Sequence, residues 1–393
     1  MPQVNPEVLR WARESAGLGP AEAIAKLGLK AARGTSPADR LRALEEGADA
    51  PTRAMLSKMA AQYRRPLVTF YLKQPPPKGE RGTDFRTVSA RRSSGEEALL
   101  DALARRLLAR QELLKSALLD EDAEPLPFIG SVSLDDGVPA VLASLRETLG
   151  LPTDAFRAAQ GRDAAFRLLR ARVEETGVFV LLAGNLGSHH TNIEVEVFRG
   201  MALADEIAPF VVVNPHDSSG ARCFTLLHEL AHLWLGQTGV SGGLPGSPVE
   251  RFCNDVASEY LLPDADFTDF RVADETDVSA WASAISARAA EFNVSSSMLA
   301  YRLFRAGRID ETLWNEVSGL FRTQWLRGRK RRRGRMKTQT GGPGYYRQMK
   351  HQLGSSLVAL TGQLMASGAL TTTKAGRVLG VRPKTVHMLV AGP

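Results

Sequence analysis

Up to about residue 73 the apolar positions recur every three to four residues, in short runs broken by Gly and Pro. That is the pattern of short helices joined by tight turns. Pro6 opens the first, which carries Val8, Leu9, Trp11 and Ala12 and stops at Gly17; Pro20 opens the second, with Ala21, Ile24, Ala25 and Leu27 ahead of Gly28. Ser36 caps a third helix running to Glu46-Gly47, Thr52 caps a fourth bearing Met55, Leu56, Met59 and Ala60, and Pro66 starts the apolar turn LVTFYL. Residues 74–94, with QPPPKGERG, read as a proline-rich linker. Helical spacing resumes over 95–120 and 138–176 and then gives way to β-branched runs. GVFVLLAGNLG (177–187), IEVEVFRG (193–200) and PFVVVN (209–214) predict strands, IEVEVF alternating as a half-exposed strand does. Two helices follow between Ser218 and Pro263, parted by GQTGVSGGLPGSP, with more at 278–304 and two short ones around Gly380.

Composition narrows the class. Hydrophobic residues at 44% and charged ones at 24% are ordinary for a globular protein and exclude wholesale disorder, a fibre or a disulfide scaffold. Two cysteines, Cys223 and Cys253, point to a reducing cytoplasm, and both read as small buried hydrophobes. With no apolar leader and no apolar run long enough to span a bilayer, no membrane association is expected. The net charge of +7 is concentrated: residues 322–337 hold nine Arg or Lys and no acid, leaving −2 for the remainder. This block, in an expected linker over 311–344, suits DNA or another polyanion, or simply solvent.

The chemistry concentrates in FTLLHELAHLWLG. His228 and His232 are four residues apart in a segment free of Pro and Gly, so a helix sets both imidazoles on one face, towards one cation. Glu229 is rotated about 100° from His228 and can reach a water on that cation. This is the HExxH arrangement of a zinc hydrolase, with two ligands and a general base. A third ligand is needed, and the next helix, VERFCNDVASEYLLP, offers Glu250 and Glu259. Asn254 and Asp255 are placed to hydrogen-bond the second ring nitrogen of a ligating histidine. His189, His190 and His216 are further polar candidates, more often loop residues than oxyanion donors.

Segment 222–263 resembles the ImmA/IrrE family of zinc metallopeptidases, whose hallmark is RFTLAHELGHxLL followed by ExxANxFAAExLMP; Cys253 and Ser258 stand where Ala is usual. The N-terminal VLRWARESAGLGPAEAIAKLGL…TFYL resembles the Xre-type helix-turn-helix often fused ahead of it. The two resemblances cover most of 1–310. They imply an α+β fold: a zincin-like peptidase domain over 95–310, with a small mixed sheet and the HExxH helix, flanked by helical domains at 1–73 and 345–393. They imply zinc held by His228, His232 and Glu259, the last from the AAExLMP position, with Glu229 as base. They also imply an endopeptidase that cleaves a repressor or antitoxin-type protein, the strands near 198–214 supplying an edge for an extended substrate. A DNA-binding regulator with little proteolysis is the other reading, with Arg40 and Arg42 on the Ser36–Glu46 helix as candidate contacts. Residues 370–389 have a helix-turn-helix pattern of their own, or form a helical hairpin that docks on the peptidase domain.

Overall fold

The computed structural model describes residues 3–32, 34–76, 93–241, 247–338 and 344–391. The chain falls into two compact units, one of Met1–Arg81, Arg86–Leu107 and Asn185–Ile193, the other of Gly82–Phe85, Leu108–Gly184 and Glu194–Pro393. The first unit holds α1 (Pro6–Ser15), α2 (Pro20–Leu27), α3 (Pro37–Glu46) and α4 (Arg53–Gln62). Their starts and stops follow local chemistry. The Ser36 hydroxyl accepts from the Asp39 N–H at 3.1 Å and Thr52 from Met55 at 3.2 Å. Gly28 and Gly47 end α2 and α3 at φ 63° and 78°, the left-handed turn that a Cβ disfavours. Val8, Leu9, Leu27, Leu41, Leu56, Met59 and Phe70 form the core of this unit.

Helix α5 (Ser94–Leu119) contributes its residues through Leu107 to the first unit and the rest to the second. The second unit continues with α6 (Gly137–Leu149), α7 (Thr153–Arg157), α8 (Arg162–Glu175), α9 (Ser219–Trp234), α10 (Pro248–Leu261), α11 (Val278–Glu291) and α12 (Ser296–Arg305). It ends with α13 (Glu311–Thr338), α14 (Tyr345–Leu353), α15 (Ser355–Ala366), α16 (Thr372–Leu379) and α17 (Pro383–Val390). Its sheet is small and mixed: β1 (Phe179–Leu182), β2 (Gly200–Leu203), β3 (Phe210–Val213) and β4 (Gly239–Ser241), in the order β1-β3-β2-β4. β1 runs parallel to β3, while β2 is antiparallel to both β3 and β4. The fold is therefore α+β. Helix α9 packs on β2 and β3 and against α8 and α10, so the HExxH segment is held at the centre of the unit. Among the described residues no helix is long and apolar enough to cross a membrane.

Three expectations change. IEVEVF is not a strand: Val197 and Phe198 donate back to the Glu194 carbonyl at 3.0 and 3.1 Å, making a turn, and the sheet resumes at Gly200. The alternation is satisfied without pairing, since Val195, Val197 and Phe198 are buried and the side chains of Glu194 and Glu196 are 40% and 41% exposed. Segment 198–214 supplies β2 and β3, which are both interior strands; the outer strands are β1 and β4. The region expected as a linker over 311–344 is helical through Thr338, because residues 311–338 contain no proline and carry Trp314, Val317 and Phe321 at helical spacing onto the core.

Candidate metal centre

Ser218 caps α9 by accepting from the Ala221 N–H at 3.3 Å, and the helix then runs unbroken through both histidines. His228 is 4%, His232 2% and Glu229 0% exposed, an unusual depth for ionisable groups. The two Nε2 atoms lie 3.1 Å apart. Glu250, from the first turn of α10, sets Oε2 at 3.4 Å from His228 Nε2 and Oε1 at 3.3 Å from His232 Nε2. A tetrahedral zinc with bonds of about 2.0–2.1 Å spaces its ligand atoms about 3.3 Å apart. The triangle has that edge length, and among the described residues these three side chains form a group that could hold a metal ion.

The charges agree with the distances. Burial pushes the His228 imidazole down from its ordinary pKa, against the raising effect of Glu250 and Asn254, so it favours the neutral form that ligates a metal. Burial alone would raise the Glu250 carboxyl, but its contacts with the two imidazoles hold it well below the usual carboxylate range, and it is anionic. Burial would also lower His232; the Cys253 sulfur and the carboxylates of Glu250 and Glu229 outweigh it and raise that group. The cluster thus draws positive charge into a buried position, as a cation site must.

Glu229 lies against the backbone of β2. A Cβ added at Gly200 would stand 2.6 Å from Thr225 Cγ2 and 2.8 Å from Glu229 Cδ, so glycine there clears the room in which the carboxylate sits. In the sequence this residue stands only at the end of an expected strand. The signal was faint: a glycine inside a β-branched region, a known mark of close approach.

The remaining candidates separate on the wheel of α10. Glu259 follows Glu250 by nine residues, about 180° around a helix. Its carboxylate is accordingly turned away from the histidines, 3.9 Å from Arg302 Nη1 and 37% exposed, whereas the resemblance implied it as the third ligand. Asn254, about 40° from Glu250, lies beside His228 and interacts with its ring. Asp255 is turned off that face: it accepts from Tyr301 Oη at 2.8 Å and from Arg305 at 2.9 and 2.6 Å. Cys253 shares the Glu250 face beside His232, and burial raises its thiol. Cys223 is also fully buried, its thiol pushed up to about 12 by burial, and both cysteines are free. His190 is exposed and His216 lies next to Gly184 after β3; neither joins the group, and the side chain of His189 is outside the described ones. In the first unit Arg40 donates to the Lys30 carbonyl at 2.7 Å, and Arg42 pairs with Asp39 at 3.3 Å.

Two imidazoles and a carboxylate around one point, with a second buried carboxylate alongside, are the donor set of a hydrolytic metal centre. Residues 179–304 match the family model described as the IrrE N-terminal-like domain, a peptidase family whose members are zinc-dependent. The match covers the sheet, α9, α10, α11 and all but the last residue of α12, and it suggests a metallopeptidase-type function. No curated protein and no solved structure matches the chain.

Proposed function

We propose that the protein is a zinc-dependent endopeptidase. Its metal is held by His228, His232 and Glu250, and its general base is Glu229. The observation that carries this is the triangle of 3.1, 3.3 and 3.4 Å edges with a fully buried glutamate next in sequence to one of its corners. A zinc ion in such a site supplies Lewis acidity, lowering the pKa of a water towards about 7 and polarising a carbonyl. Glu229 takes the proton from the attacking water and delivers it to the leaving amine, so that one carboxylate serves both halves of the reaction. Gly200 and Thr225 fix where that carboxylate stands. Asn254 stands beside the His228 ring, and the anionic Glu250 offsets the charge of the cation.

A transcriptional repressor or antitoxin-type protein is the substrate that the resemblance to ImmA/IrrE peptidases supports. The test is direct. Zinc-loaded protein and its Glu229→Gln variant are incubated with repressors encoded beside its gene, and the products are resolved by mass spectrometry. Wild type should cut at one bond, and the variant should be slower by at least about 100-fold. Equal behaviour of the two would remove the reading. The alternative, a DNA-binding regulator with little proteolysis, draws on the helical first unit and predicts regulation that survives Glu229→Gln.

A further inference from the structure

The acidic residues stop at Glu316. Residues 317–393 hold fifteen Arg or Lys and no Asp or Glu, while the preceding 316 residues carry −8. So long an acid-free stretch belongs to no part of the proposed peptide chemistry. Its last two helices have a specific geometry. Thr371 caps α16, accepting from the Lys374 N–H at 3.3 Å. Between Leu379 and Pro383 only Gly380, Val381 and Arg382 intervene, and Gly380 turns the chain at φ 67°. The Val381 N–H donates to the Gly376 carbonyl at 2.8 Å. A Cβ at Gly376 would meet the Val381 carbonyl at 3.0 Å, so the turn is drawn tightly onto α16. A three-residue glycine turn between two packed helices has the turn length of the helix-turn-helix unit. By contrast, nine residues separate α2 from α3 in the first unit.

The apolar side of this pair is already used. Ala375, Val378, Leu379, Val386 and Leu389 are all 0% exposed, packed within the bundle of α14–α17. No apolar face is left for a membrane. What the pair turns outward carries four cations, Lys374 and Arg377 on α16, then Arg382 and Lys384, with His387 beside them and Met388 59% exposed. The bundle is anchored on α8, where Glu174 accepts from the N–H and hydroxyl of Ser355 at 3.0 and 2.8 Å and Arg170 donates to the His351 carbonyl at 2.5 Å, and the Gly380 turn lies against Arg110 of α5. The exposed face of α13 adds Arg322, Arg327, Lys330 and Arg331.

We infer that α16 and α17 bind duplex DNA, with α17 entering the major groove. A helix of this size fits the roughly 12 Å groove of B-DNA, whereas the major groove of A-form RNA is too narrow. Lys374 and Arg377 meet phosphates. Lys384, one residue into α17, faces base edges, where a lysine reads guanine, and Met388 lies one turn further on, against a thymine methyl. The basic α13 contributes phosphate contacts that raise affinity without reading sequence. α3 is the poorer reader, since Arg42 is paired with Asp39 and Arg40 is bonded to the Lys30 carbonyl.

The test uses the full-length protein and fluorescein-labelled 30-base-pair random-sequence duplexes, one of DNA and one of RNA, followed by anisotropy across KCl concentrations. DNA should bind at least about tenfold tighter than RNA, with a log–log salt slope of about −4 or steeper. The triple variant R382A/K384A/H387A should weaken DNA binding at least about tenfold, and M388E, which removes no positive charge, should weaken it at least about threefold. K26A/R42A/R53A in the first unit should leave binding within about twofold, and so should Glu229→Gln, which separates this inference from the peptidase reading. Absence of DNA binding, equal affinity for RNA, no effect of the α17 variants, or loss with the first-unit variant would each overturn it.

Discussion

At the scale of single residues, the centre rests on which face of α10 meets α9. The histidine pair was legible because its spacing is local: four residues on one helix leave one face for both rings. For the third ligand, spacing leaves Glu250 and Glu259 open and the resemblance implies Glu259. The group that could hold a metal contains Glu250 instead, because the rotation of α10 about its own axis is set by tertiary packing that spacing does not report. Packing puts Cys253 and Asn254 on the side of Glu250 and sends Asp255 to Tyr301 and Arg305. Gly200 is the residue whose importance the sequence concealed most. Gly200→Ala should push the Glu229 carboxylate out of place and cost about 1–3 kcal/mol of stability through overpacking. Urea unfolding together with zinc content would check it. The expected result is a lower midpoint and at least about a tenfold loss of turnover, with the metal retained.

At the scale of elements, the short helices of the first unit were legible from their caps and glycine stops, because these signals lie within a few residues of what they control. The IEVEVF turn was not, because alternation reports which side chains are buried and says nothing about whether the backbone pairs. β4 went unseen inside a glycine-rich stretch for the converse reason: three residues joined to β2 carry too little pattern to read. The attachment of the last four helices is a tertiary feature as well. Arg170 and Glu174 are buried as a pair at 2.8 Å, and Glu174 also receives the N-terminus of α15. Glu174→Ala removes the carboxylate that neutralises this buried guanidinium, leaving it only backbone carbonyls, and should cost about 3–5 kcal/mol. Hydrogen exchange would then be expected to rise sharply in peptides from 345–391 while those from α9 keep their protection. Equal change in both would count against a local anchor.

A second element-level contact has a defined pH dependence. Lys115 of α5 bonds Asp205, in the connection from β2 to β3, at 2.6 Å. Burial works to raise the Asp205 carboxyl, but Lys115 and the N–H groups of Ala208 and Ile207 together hold it below its ordinary value. A depressed carboxyl contributes stability that is present above the unfolded pKa of about 4 and is lost as pH falls through the lower folded value. Wild type should therefore be more stable than Lys115→Met at pH 7, and the gap should close towards pH 3. A gap that is constant with pH would contradict the assignment.

At the scale of the whole molecule, the family match at 179–304 falls, apart from residues 185–193, in the larger second unit, which also carries the acid-free C-terminal helices, while the first unit has a core of its own. A hydrolytic centre and a cationic helix pair in one unit would bring peptide cleavage and DNA contact under one chain. The cation is the feature on which the rest depends, and native mass spectrometry of the intact protein after zinc loading and dialysis reads it most directly. One zinc per chain is expected for wild type and for Glu259→Ala, with at least about 100-fold weaker binding for Glu250→Ala. A wild-type chain that leaves dialysis without zinc, or one that loses it through Glu259→Ala and keeps it through Glu250→Ala, would contradict the account.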